Sequence, residues 1–109
     1  MNIANLNDMK GGWFIGLFEP SVFKTGFAEV GLKKYKAGEV NAAHYHRIAT
    51  EVTLVVRGQC RMGKFVLSEG DIVTVHPDEV SDFEALTDCE LVIYKSDSTP
   101  GDKYEADSI

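Results

Sequence analysis

Short apolar runs alternate with turn residues along most of the chain. Segments 27–35, Glu51–Arg57, Phe65–Leu67, Ile72–Val75 and 91–94 are rich in Val, Ile, Phe and Leu. Between them stand Ala37-Gly38, Arg57-Gly58, Met62-Gly63, Glu69-Gly70-Asp71 and His76-Pro77-Asp78, the residue types that turns require. No apolar period of 3.6 residues persists for long, so no long amphipathic helix is expected. Turn signals recurring at this spacing predict an all-β sandwich or barrel. The pattern divides the chain into an apolar arm at 1–26, a barrel at 27–95 and a polar, acidic tail at 96–109, expected to be a loosely held terminus. In the arm, Trp13, Phe14, Ile15, Leu17, Phe18 and Phe23 are surplus to a single barrel. They either cover one end of the chain's own core or pack on a second copy.

At 109 residues the chain can bury a single core, so one domain is expected. Seventeen acidic against eleven basic residues give a net charge of −6, a surface that repels phosphate backbones. Nucleic acid is therefore not an expected partner. The apolar run from Trp13 to Phe18 contains Gly16 and is closed by Glu19 and Pro20, too short for a secretory signal or a bilayer span. No membrane association is expected. Cys60 and Cys89 form no CxxC pattern and fit reduced, buried thiols in a cytoplasmic protein.

The stretch HYHRIATE, residues 44 to 51, carries the candidate chemistry. In an extended segment His44 and His46 share one face. Glu51 follows a four-residue connection, RIAT, long enough to turn the chain into a neighbouring strand. Two imidazoles and a carboxylate on one side of an ion make a facial triad with open positions for water or substrate. A bare HxH is weak, because alternation produces it easily. The glycines strengthen it: Gly38 lies six positions before His44, and Gly58 seven after Glu51.

The string GEVNAAHYHRIATEVTLVVRG thus fits G(x)5HxH(x)4E(x)6G at every defined position and resembles the first signature motif of the cupin family. The second cupin motif, G(x)5PxG(x)2H, is matched in part. Gly70 opens it, but its proline position falls on His76 with Pro77 shifted by one, and its glycine position on Asp78. Its histidine, the family's fourth metal ligand, falls on Ser81, whose neutral hydroxyl is a poor ligand. Alternation turns Asp82 outward unless a bulge intervenes.

The resemblance covers about residues 27 to 94. It implies a cupin-type double-stranded β-helix (jelly-roll) barrel with the site at its mouth, and frequent dimers in which N-terminal strands pack on the partner, so a homodimer is expected. Small cupins include dioxygenases, isomerases and epimerases of sugars or small acids, and members without known activity, so fold is implied more firmly than reaction.

Other candidates have plainer readings beside them. His76 is either a general base at the barrel mouth or a solvated turn histidine. Arg61 either anchors an anionic ligand inside the barrel or is a surface charge. Ser81 and Phe83 share a strand face, and Phe83 either lines the pocket with Ser81 or is plain core. The run of Asp78, Glu79, Asp82 and Glu84 reads as a loop and one solvated face.

Together these features predict a small metal-binding cupin. His44, His46 and Glu51 would hold a divalent transition metal (Fe, Mn, Ni or Zn), and a small molecule, a sugar or a small acid, would meet Arg61, Ser81 and Phe83. The alternative is a barrel that binds a small ligand, such as a carbohydrate, without catalysis and with a degenerate metal site.

Overall fold

The computed structural model describes residues 1–107, and residues 108 and 109 of the acidic tail lie outside them. The strands are β1 (Trp13–Gly16), β2 (Phe23–Lys24), β3 (Glu29–Tyr35), β4 (Val40–Tyr45), β5 (Glu51–Arg57), β6 (Cys60–Met62), β7 (Phe65–Leu67), β8 (Ile72–Val75), β9 (Ser81–Ala85), β10 (Cys89–Lys95) and β11 (Tyr104–Glu105). One 3₁₀ turn, Leu6–Asp8, is the only helical element among the described residues, as the missing 3.6-residue period requires. The strands form a six-stranded sheet, β2-β1-β3-β10-β5-β8, and a five-stranded sheet, β11-β4-β9-β6-β7. The interleaving of sequence neighbours between two facing sheets is that of a jelly roll.

Alternation decides what each strand buries. On β5, Thr53 and Val55 point into the core; on β10, Cys89, Leu91 and Ile93 do so; on β9, Phe83 and Ala85. With Cys60, Met62 and Leu67 from the smaller sheet they close one core between the sheets. Both cysteines are free and buried there, and burial pushes the Cys60 thiol up to about 11, so it stays protonated at neutral pH.

The outward face of the larger sheet is apolar as well. Leu32, Val92, Leu54 and Ile72 form one row across β3, β10, β5 and β8, and Val30, Tyr94 and Val52 the next. Ile72 and Tyr94 are exposed at 65% and 43%, so none of the described residues covers this face fully.

Residues 1–26 extend the larger sheet. β1 pairs antiparallel with β3, and β2 parallel with β1. Trp13 lies against Gly31, where a Cβ would stand 2.8 Å from the indole, and packs on the chain's own core. Farther out, Val22, Phe23 and Phe27 stay exposed.

As far as it is described, the tail is held against the barrel, contrary to its polar composition. Ser98 and Asp102 are buried at 3% and 5% exposure, and β11 pairs with β4 through Tyr104 opposite Tyr45 and Glu105 opposite His44. Ser98 Oγ accepts the Leu17 amide at 2.7 Å and donates to Glu29 at 2.8 Å, while Glu29 also pairs with Lys95 at 3.4 Å. The polar residues of the tail are there to satisfy buried backbone groups, so their polarity does not mean solvent exposure.

Candidate metal centre

His44 reaches the space between the sheets through an irregularity in β4. Opposite β9, Asn41 pairs with Phe83 and His44 with Ser81, so β4 spends one residue more than its partner. That bulge lets Asn41 and His44, which strict alternation would put on opposite faces, both line the same cavity. The bulge also aims the Ala42 carbonyl at His44, whose Nδ1–H donates to it at 3.0 Å.

One position past the end of β4, His46 is buried at 6% exposure. Its ring stands edge-on to that of His44, with centroids 5.3 Å apart. The Nδ1–H of His46 donates to the backbone carbonyl of Asp102. Both histidines thus commit Nδ1 to a backbone carbonyl, and neutral rings held this way keep their Nε2 lone pairs free, the arrangement typical of metal-ligating imidazoles.

Glu51 opens β5 and faces inward in the same register as Thr53 and Val55. Its Oε2 lies 3.4 Å from His46 Nε2, close enough for strong attraction, yet Nε2 has no hydrogen-bond partner of good geometry and is fully buried. The carboxylate raises the pKa of His46, burial opposes it, and the Asp102 carbonyl adds to the rise. A buried lone pair facing a carboxylate needs a positive species between them, either a proton or a cation.

The cavity beside these groups is about 40 Å³ and is lined by Tyr35, Asn41, His44, Glu51, Thr53, Met62, Ser81 and Phe83, among others. That volume suits an ion with a water or two, far below the ~300–1,000 Å³ of pockets that enclose drug-sized ligands. Burial raises the Tyr35 phenol, so it remains a neutral O–H; it accepts from the Asn41 amide at 3.1 Å and keeps its own proton to donate.

Of the residues singled out in sequence, the structure brings His44, His46, Glu51, Ser81 and Phe83 together. No three His, Cys, Asp or Glu side chains among the described residues converge tightly enough to hold an ion as they stand. The two imidazoles and the Glu51 carboxylate nonetheless fit a cation in donor type, and Ser81 stands opposite His44, where a fourth ligand would come.

Arg61 is placed elsewhere. It grips Asp82 with two hydrogen bonds of 2.9 and 3.0 Å, reaches Glu84 at 3.4 Å and donates to the Gly63 carbonyl at 2.6 Å. The reason is the alternation of β6, which sends Cys60 and Met62 inward and Arg61 to the other face, where β9 turns Asp82 and Glu84. Asp82 is held below the usual carboxylate range chiefly by Arg61. His76 is an exposed turn residue whose amide donates to Glu79 at 2.7 Å.

Four residues at the site escape sequence reasoning: Tyr35, Asn41, Thr53 and Asp102. Thr53 could have been found by its period of two from Glu51. Asn41 is hidden by the bulge, and nothing in the string TPGD announces that Asp102 meets His46.

No family model matches the chain, and no curated protein matches it in sequence. Solved structures do resemble it. A conserved protein with a double-stranded β-helix domain from Klebsiella pneumoniae superimposes with a TM-score of 0.73 at 18% identity, over 97% of this chain and 92% of that one. KdgF from Halomonas sp. gives 0.60 at 20% identity, over 66% and 71% of the two chains. Oxalate decarboxylase from Bacillus subtilis gives 0.64 at 16% identity over 73% of this chain, which spans only 24% of that enzyme. A cupin-2 domain protein from Shewanella frigidimarina gives 0.58 at 18% identity over 64% of this chain. Two facing sheets in jelly-roll order and these neighbours show that the chain has the double-stranded β-helix fold of the cupins.

Proposed function

We propose that the chain is a metal-binding cupin acting on a small molecule, with His44, His46 and Glu51 as its protein ligands. The observation that carries this reading is the pair of histidines whose Nδ1–H groups are both taken by backbone carbonyls, with the buried Nε2 of His46 facing Glu51 without a donor between. A divalent ion there would act as a Lewis acid toward a carbonyl or hydroxyl of the ligand. The chain's own residues do the rest. Tyr35 offers a neutral O–H, Thr53 and Ser81 offer hydroxyls, and Phe83, Met62 and Leu91 exclude bulk water. The cavity favours a small acid over a sugar, since only a terminal group enters about 40 Å³.

The test is elemental analysis and calorimetric titration with Mn²⁺ or Zn²⁺, comparing the protein with His44→Ala. Binding near one equivalent that is lost in the variant supports the site. A protein that takes up neither ion, or a variant that binds as well, overturns it. The second reading, a metal-free barrel that binds a ligand without catalysis, draws on Ser81 at the fourth-ligand position and predicts uptake of neither ion.

The same proposal includes a homodimer. The apolar rows on the outer face of the larger sheet carry the pattern of a face covered by another sheet. A second copy supplies one of equal character through a two-fold contact. Sedimentation should show a dimer that Leu54→Glu converts to monomer; a monomeric protein would sink the idea.

A further inference from the structure

We infer that Asp102 is a positioning residue for His46, so that the C-terminal turn sets up a ligand that the first motif supplies. The inference rests on the metal-site reading above and concerns how that site is made ready. Asp102 acts at two places. Its carbonyl accepts the Nδ1–H of His46, and its carboxylate accepts the amides of the next three residues: Arg47 at 2.9 Å, Ile48 at 3.2 Å and Ala49 at 3.0 Å. One residue therefore fixes both the ring and the backbone that carries it. Burial alone would raise the Asp102 carboxyl, but the three amides more than offset it and hold it low, so the acceptor stays ionised.

The position of Asp102 is itself determined. Gly101 at φ +79° turns the chain, and the following residues run along β4, with the Ala106 amide donating to Ala43 at 3.1 Å. The consequence for His46 follows from its two nitrogens. A ring whose Nδ1–H is taken by a fixed carbonyl has its lone pair on Nε2. Released from that carbonyl, the ring could carry its proton on Nε2 and donate to Glu51, 3.4 Å away. That arrangement satisfies both side chains and removes the lone pair a cation needs. Asp102 disfavours it.

The experiment uses the full chain, labelled with ¹⁵N at histidine and metal-free, with long-range proton–nitrogen spectra of the neutral rings. The protein should show His46 as a single Nδ1–H tautomer. Asp102→Ala should shift it toward Nε2–H and leave His44, held by Ala42, unchanged. Affinity for Mn²⁺ or Zn²⁺ should fall about 10- to 100-fold, the usual effect of removing an outer partner. A folded variant with an unaltered His46 tautomer overturns the inference whatever its metal affinity. If Asp102→Ala does not fold, Asp102→Asn, which loses the charge and one of the two accepting oxygens, should show a partial shift toward Nε2–H, and an unaltered tautomer there overturns the inference as well. A protein that binds neither ion overturns the metal reading alone, because the tautomer of His46 still tests Asp102.

Discussion

The two motif regions are built to different standards. The first, from Gly38 to Gly58, is tied down at both levels: its histidines are held by carbonyls, its loop by Asp102, and its last glycine by close packing. The second, from Gly70 to Ser81, ends in an exposed turn at His76 to Glu79 and supplies a serine where the cupin motif has a ligand. Donors that must converge on one point need rigid support, and the support stands where the donors are. The second region is held mainly through backbone bonds to the first, Gly70 to Val55 at 2.8 Å and Asp78 to His46 at 2.7 Å, and brings no imidazole of its own to the site.

Four measurements would break or sharpen that contrast. The largest effect is expected from Glu51→Gln, which keeps the shape of the first region but removes its anionic ligand. Metal affinity by calorimetry should drop by more than the roughly 100-fold that outer partners cost; retained binding would show that the first region is not the site. Next comes the pair of glycines. Gly58 has φ +83°, and a Cβ there would run into the Asp88 carbonyl and lie 2.8 Å from Cys89 Cβ. Gly58→Ala should therefore cost roughly 2–4 kcal/mol in urea unfolding. Gly70 has φ +89° with open space around it, so Gly70→Ala should cost only about 1–2 kcal/mol. Equal losses would mean that the two regions are equally braced.

Ser81→His asks whether the second region still points at the site. It should raise metal affinity by roughly tenfold or more, about 1.4 kcal/mol; a flat response would mean that the position no longer faces the ion. The smallest effect belongs to the outer side of β9. Asp82 has its folded pKa lowered by Arg61, so its contribution to stability is present above the ordinary carboxylate value near ~3.9 and is lost as pH falls through the lower, folded value. Asp82→Asn should flatten the acid limb of the stability profile and leave metal affinity unchanged.

Local chemistry wrote most of the fold into the sequence. β5, β7 and β8 run over the segments that hydrophobic alternation marks, and turn glycines bound them. That His44, His46 and Glu51 come near one another was legible for the same reason, since HxH and the following glutamate are close in the chain. Arg61 shows where this reading fails: facing in or out is a matter of register, and one residue's slip reverses it. The bulge in β4 and the contact of Asp102 with His46 were hidden because each depends on a backbone group brought from another strand or from far along the chain. Backbone carbonyls are the same at every position, so no residue type advertises them.

The distance between His46 and Asp102 along the chain, 56 positions, gives the site an order of assembly. During synthesis HYHRIATE emerges while half of the barrel, with the carbonyl that His46 meets, is still missing. Its geometry is imposed only after β10 has paired and the turn at Gly101 has come round. The ring of His46 is thereby oriented by a residue that arrives only with the last part of the chain.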